Sequence, residues 1–265
     1  MKFVETAGKA AREAGKLILD SIGKVKDVSF KTLPSNLVTE VDKKSEKVII
    51  DILLKDFPDF DVLAEESGSS STKNSEYMWV IDPLDGTTNF THSLPIFSIS
   101  IGLVKGNDVI AGVVYDPTRD HLFHAEVGGG AFLNNKKLHV SNVKDIKKAL
   151  LVTGFPYNVE QNPDHCFERF IKMTSQSRAV RRLGSAAIDF AYVAAGIFDG
   201  FWEVKLNPWD VSAGYLLVKE AGGKVTNFTG QESDIYNKQV LASNGLIHNK
   251  MVELLLEAEH IKITL

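Results

Sequence analysis

Residues 82–90 read Asp82-Pro83-Leu84-Asp85-Gly86-Thr87-Thr88-Asn89-Phe90, directly after an apolar run over 77–81. The run predicts a buried strand, and its end delivers two carboxylates three residues apart. Gly86 then lets the backbone come close to a ligand, and two hydroxyls follow. Oxygen donors in this pattern suit a hard divalent cation beside a phosphate group. Two other acidic segments fit the same chemistry from far away in the chain. Glu65-Glu66 ends a short apolar segment, 62–64, and Asp210 follows Pro208-Trp209 and opens a run of small residues, Ser212-Ala213-Gly214. Each alone has a plain structural reading: a tight turn at 82–87, a solvated turn at Glu65-Glu66, a helix N-cap at Asp210.

The elements that must position these acids are read from hydrophobic spacing. Apolar residues at helical intervals predict helices over 3–22 and 41–57, with Gly23 and Pro58 as stops. Apolar runs predict strands at 28–31, 62–64, 77–82, 96–104, 109–115 and 121–125. Residues 67–76 read as a Gly-, Ser- and Thr-rich loop, and Gly128-Gly129-Gly130 and Asn134-Asn135 as tight turns. The glycine triplet lacks the lysine and hydroxyl of a nucleotide-binding loop. After the charged stretch 144–148 the pattern alternates more regularly. It gives a strand at 149–153, a helix at 164–175, a strand at 178–182, a helix at 185–196 capped by Ser185, and a strand at 198–203. A helix at 210–221, a strand at 239–242 and a helix at 248–258 complete it. Such a mixture predicts an α/β (α+β) fold of layered helices and sheets.

Four segments, in order and spacing, resemble the inositol monophosphatase family of lithium-sensitive, magnesium-dependent phosphatases. Residues 82–90 resemble its first signature. Ala64-Glu65-Glu66-Ser67 is similar to its upstream Glu-Glu-Ser motif, and Trp209-Asp210-Val211-Ser212-Ala213-Gly214 to its second signature, with Ser212 where alanine is usual. Leu37-Val38-Thr39-Glu40-Val41-Asp42 resembles the early segment that supplies a further aspartate. The resemblance spans residues 30–245.

It implies a Mg2+ site of about two to three ions. Glu65, Asp82 and the backbone carbonyl of Leu84 would hold the first, Asp82, Asp85 and Asp210 the second, and a weaker ion would sit near Glu65. The charges agree: four carboxylates offset two divalent cations. Catalysis would rest on Asp42, Glu65, Asp85 and Thr87, with Asp42 orienting the Thr87 hydroxyl against the attacking water. Gly86 and Thr87 backbone N–H groups would bind the phosphate, and attack would be in line, without a phosphoenzyme. Asp85, Gly86, Thr87, Gly184, Ser185, Ala186, Glu203 and Asp210 would contact the substrate. Glu203, seven residues before Asp210, would accept hydrogen bonds from a polyol, although a surface strand residue is its plain reading. Lys31 would lie near the site or simply be solvated.

The implied fold is an alternating helix/sheet sandwich, as in sugar phosphatases. An N-terminal half, 1–147, would carry most metal ligands and a C-terminal half, 148–265, Asp210 and the substrate contacts. The site would then lie between them, in a homodimer. The implied substrate is inositol monophosphate. A dual inositol-phosphate and fructose 1,6-bisphosphate phosphatase is the alternative, with histidinol phosphate or 3′-phosphoadenosine phosphate behind it. A non-catalytic regulatory scaffold is disfavoured, because every implied ligand position keeps its acid.

Composition narrows the field further. The 265 residues carry a net charge of −4, with 44% hydrophobic and 24% charged residues. That charge provides no broad field for nucleic acid. One cysteine, Cys166, excludes an intrachain disulfide and a multi-cysteine zinc site. It fits a reducing, cytoplasmic setting. The first residues lack the apolar core of a signal peptide, and no apolar run reaches membrane-spanning length. His121 and His124 would point to opposite faces of a strand, a poor metal pair. Arg178, Arg181 and Arg182 read as salt-bridge or subunit-contact residues.

Overall fold

A computed structural model describes residues 2–24, 28–30, 37–69 and 75–262. Lys31, the loop at 33–36 and residues 70–74 of the expected 67–76 loop lie outside the described residues. The chain opens with α1 (Lys2–Ser21), whose buried stripe is mostly alanine: Ala7, Ala10, Ala11, Ala14, then Ile18. β1 (Val28–Phe30) and β2 (Leu37–Thr39) pair antiparallel. α2 (Glu40–Asp56) packs beside α1.

A large sheet follows, built from β3 (Asp61–Ala64), β4 (Gly68–Ser69) and β5 (Tyr77–Asp85), then, after the short α3 (Thr87–Thr91), from β6 (Ser98–Lys105), β7 (Asp108–Asp116), β8 (His121–Glu126), β9 (Gly130–Leu133) and β10 (Lys136–Lys137). Its spatial order is β10-β9-β8-β7-β6-β5-β3-β4. Only β3 and β5 run parallel; the other neighbours are antiparallel.

The rest of the chain supplies β11 (Leu150–Thr153), α4 (Cys166–Gln176), β12 (Ala179–Arg181), α5 (Ala186–Ala194), β13 (Gly200–Val204), α6 (Pro208–Glu220), β14 (Lys224–Thr226), β15 (Gln239–Ser243) and α7 (His248–Glu257). The strands form a second sheet, β12-β11-β13-β15-β14. Three apolar cores glue five layers together. One joins α1 and α2 to the large sheet, one holds α5 and α6 between the sheets, and one joins α4 and α7 to the small sheet. This is the layered α/β sandwich that the pattern predicts.

The departures have local causes. β4, β10 and β14 are two or three residues long, too short for alternation to register, and Gly, Ser and Lys are poor strand formers. β4 falls within the expected loop at 67–76, while β9, β10 and β14 lie where the sequence pattern predicts no strand. α6 starts at Pro208 rather than 210, because Pro fits the first helical turn.

Two features of the large sheet matter for the site. β5 does not stop at Asp82 but runs through Pro83 to Asp85. Asp82 faces Ser100 and Asp85 faces Ser98, with a register shift between. Three steps on β5 thus match two on β6, which is a bulge. On a regular strand, residues three apart point to opposite faces; the extra residue brings both acids to one side. Second, Gly102 and Gly112 face each other across β6 and β7. A Cβ on Gly102 would lie 2.4 Å from Ser212 Oγ, and one on Gly112 2.9 Å from the Ala213 backbone. The glycine pair lets α6, which carries Asp210, lie directly on the sheet.

Candidate active site

Asp82, Asp85 and Asp210 converge: one carboxylate oxygen of each lies within 4.8 Å of the other two. Asp82 is buried and accepts a hydrogen bond from Leu84 N at 3.0 Å. Asp85 spans the two halves of the chain, accepting from Ser185 Oγ at 2.6 Å and Ala187 N at 2.8 Å. Asp210 sits in the first turn of α6 and accepts from Asn207 N at 2.7 Å. The cap of that helix is Asn207, so the N-cap reading of Asp210 is corrected: Asp210 closes the cap from inside the helix.

Burial pushes the Asp82 carboxyl well above the usual range, and the charges of Glu65, Asp85 and Asp210 push it further. Burial, then Glu65 and Asp85, raise Asp210 in the same way, against the pull of the Asn207 N–H. Burial also raises Asp85, opposed by hydrogen bonds from Ser185, Ala187, Ala186 and Ser98. Glu65 therefore belongs to the cluster electrostatically. Like charges crowded in a poorly solvated place need a counter-charge. An all-oxygen donor set suits a hard divalent cation, so these residues fit the magnesium that the sequence implies.

One face of α2 holds the surrounding backbone. Asp42, Ser45 and Glu46, at positions i, i+3 and i+4, are buried amid the helix's apolar residues. Asp42 Oδ1 accepts from the Thr87 hydroxyl at 3.2 Å, and Thr87 Oγ1 also lies 3.1 Å from the Leu84 carbonyl. Ser45 Oγ donates to the Pro83 carbonyl at 3.0 Å, pinning the bulge. Glu46 accepts from Glu66 N at 2.8 Å and Ser67 N at 3.0 Å, pinning the turn that carries Glu65. Ser45 and Glu46 escaped the sequence reading. Their signal was a polar i, i+3, i+4 set on an otherwise apolar stripe.

Serines on β6 anchor the other half. Ser100 Oγ donates to the Trp209 carbonyl at 3.0 Å, and Ser98 Oγ lies 3.1 Å from Ser185 Oγ. Asn89 donates to the carbonyls of Ile96, at 2.7 Å, and Leu183, at 2.8 Å. Ser185 is the N-cap of α5, as expected, and also a donor to Asp85. Gly86 opens α3 with φ 99°, where a side chain would be strained.

These groups line a cleft of about 550 Å3 shared by both halves. Glu65, Asp85, Gly86, Thr87, Gly184, Ser185, Ala186, Glu203 and Asp210 all border it. Glu203 is buried on β13, against its plain reading as a surface residue, and burial raises its carboxyl well above the usual range, helped by Asp210 and Asp85. It lies over Gly154, where a Cβ would stand 2.2 Å from its carboxylate oxygen. Arg182 also lines the cleft, as do Tyr157 and Asp189, which the sequence does not single out. Arg182 makes no ion pair among the described residues. His124 stacks on Phe132 at 5.4 Å and contacts the Asn134 carbonyl. Cys166 is buried and unpaired to another cysteine.

A profile of the inositol monophosphatase family matches residues 1–262. The chain belongs to the inositol monophosphatase family. It is 42% identical over 253 residues to an inositol-1-monophosphatase of Synechocystis, covering 96% of this chain and 88% of that protein. It is 44% identical over 252 residues to the Nus factor SuhB of Escherichia coli, covering 94% of each. The solved structure of an IMPase from Thermotoga maritima superposes with a TM-score of 0.90 at 38% identity, over 98% of both chains. The family is metal-dependent, and the acid cluster is where this member can bind metal. No helix among the described residues is long and apolar enough to cross a membrane.

Proposed function

We propose that this protein is a magnesium-dependent phosphomonoesterase that hydrolyses inositol monophosphate by direct in-line attack of water. The observation that carries the reading is the convergence of Asp82, Asp85 and Asp210 beside the Thr87–Asp42 pair. Glu65, Asp82, the Leu84 carbonyl, Asp85 and Asp210 would hold about two to three Mg2+, which when bound supply Lewis-acid activation of water and shield phosphate charge. The Thr87 proton is committed to Asp42 or to the Leu84 carbonyl. Its oxygen is then left as an acceptor, which takes a hydrogen bond from water and sets that water's orientation. Gly86 and Thr87 N–H groups at the start of α3 face the phosphate. Gly184, Ser185, Ala186 and Glu203 hold the alcohol, Glu203 as acceptor for its hydroxyls.

Arg182 at the cleft supports a second reading, a dual activity that includes fructose 1,6-bisphosphate. The intact acid cluster argues against a purely regulatory role. Lithium inhibition, a homodimer and a cytoplasmic location complete the proposal.

Phosphate release from inositol 1-phosphate, fructose 1,6-bisphosphate, histidinol phosphate and 3′-phosphoadenosine phosphate, each with magnesium and with EDTA, tests it. Magnesium-dependent turnover led by inositol 1-phosphate is the expected result. Leadership by the bisphosphate selects the dual reading. No turnover on any ester, with folded protein, overturns the phosphatase assignment.

A further inference from the structure

Asp189 stands apart from the metal cluster. It lies in the first turn of α5, one turn beyond Ser185, and lines the cleft while only 1% exposed. Its Oδ1 is buried and accepts no hydrogen bond. Buried polar atoms are nearly always paired, so an orphan oxygen on a cleft wall calls for a partner from outside the chain. Glu203 is the neighbour whose charge Asp189 feels most. Of the charges acting on both carboxylates, only Arg182 favours ionisation. The Arg182 guanidinium, however, is exposed and lies over the Phe155 ring, 5.9 Å from its centroid, without pairing with either acid among the described residues. Asp189 Oδ1 therefore stands unpaired within reach of the Glu203 charge, and both residues line the cleft.

Resting on the phosphatase reading above, we infer that Asp189 is a specificity-determining residue that, with Glu203, accepts hydrogen bonds from hydroxyl groups of the substrate alcohol. Hydroxyl donors match carboxylate acceptors and bring no charge of their own. The Asp χ2 torsion is broad and two-fold, so either oxygen can turn to the cleft as an alcohol enters. Gly154, beneath Glu203, keeps that side free of a side chain. A metal is the wrong partner here, since Asp189 is not among the acids whose oxygens converge.

The test compares wild type, Asp189→Ala and Asp189→Asn on two esters with magnesium: inositol 1-phosphate, and cyclohexyl phosphate, which keeps the ring and lacks the free hydroxyls. Asp189→Ala is expected to raise KM for inositol 1-phosphate about tenfold or more. Its kcat/KM for cyclohexyl phosphate should stay within about twofold of wild type. Asp189→Asn keeps a carbonyl acceptor and should recover part of the loss; it also carries the comparison if the alanine variant does not fold. Equal losses on both esters would mean a structural role and overturn the inference. So would an unchanged KM for inositol 1-phosphate. Wild type that hydrolyses cyclohexyl phosphate without preferring inositol 1-phosphate overturns the role of Asp189 alone. Wild type that hydrolyses neither overturns the phosphatase reading with it.

Discussion

At the start of α7, His248 is fully buried and fully paired; around the acid cluster, Asp82, Asp189 and Glu203 are buried near Asp85 and Asp210, among one another's charges. His248 Nδ1 lies 2.8 Å from Ser243 Oγ and Nε2 lies 2.8 Å from Thr226 Oγ1. Thr226 spends its proton on the Asn227 carbonyl, so it accepts from the ring. Gly245 N–H donates to Ser243 Oγ, which leaves the serine proton for Nδ1. One neutral tautomer thus satisfies the whole network and ties β14 and β15 to α7. Burial lowers the imidazole to about 4, keeping it uncharged. At His248 the chain completes the pairing itself. On the cleft wall Asp189 Oδ1 is left without a partner.

The largest break in that comparison is Asp85→Asn. The amide can keep one acceptor for Ser185 and Ala187, so the two halves should stay joined. The lost charge should still lower turnover by about 10³-fold or more, ~4 kcal/mol of barrier. Phosphate-release rates beside a melting curve check it; near-normal turnover would remove Asp85 from the mechanism.

His248→Ala comes next. It leaves two buried hydroxyls with broken networks and a cavity, an expected loss of about 3 kcal/mol by denaturant unfolding. Acid offers a gentler probe. The folded imidazole titrates at about 4 and the unfolded one near 6.5. Between those values the unfolded chain binds more protons, so this contribution is complete above 6.5 and is lost as pH falls toward 4. His248→Gln cannot titrate, and its melting temperature should fall less steeply with acid than that of wild type. Parallel curves would count against a neutral His248.

Magnesium sharpens the other side. At about a hundred times its dissociation constant it should stabilise the protein by about 2.7 kcal/mol, because it completes the cluster only in the folded state. Asp82→Asn should erase most of that gain. A melting temperature indifferent to millimolar magnesium in wild type would deny the cluster its cation.

Much of this contrast was legible in the residue order. The acids at 65, 82, 85 and 210 sit beside distinctive neighbours, and the long helices and strands announce themselves by periodicity. The bulge did not, because a spacing of three between Asp82 and Asp85 argues against a shared face on any regular strand. Asp189 hid inside Ala186-Ala187-Ile188-Asp189-Phe190, where one acid in an apolar helix passes for its wet side. α5 is instead packed between two sheets and has almost no wet side. Ser98 and Ser100 hid likewise in the alternation of β6, since hydrogen bonds to α5 and α6 leave no mark on the strand's own pattern.

The smallest expected effect asks whether every unpaired group is there for a ligand. Ser212, in α6, is fully buried, and its Oγ has no partner. It faces Gly102 on the sheet rather than the cleft. Removing an unpaired hydroxyl without opening much space should be neutral or stabilising, by about 1 kcal/mol. Ser212→Ala should therefore raise the midpoint of denaturant unfolding slightly and leave kcat and KM alone, although Asp210 is two residues away. Stabilisation with full activity would mark Ser212 as a tolerated flaw of close helix–sheet packing. A drop in activity instead would mean that α6 uses this hydroxyl to seat Asp210. The line between paired architecture and unpaired function would then run through the helix rather than along the cleft wall.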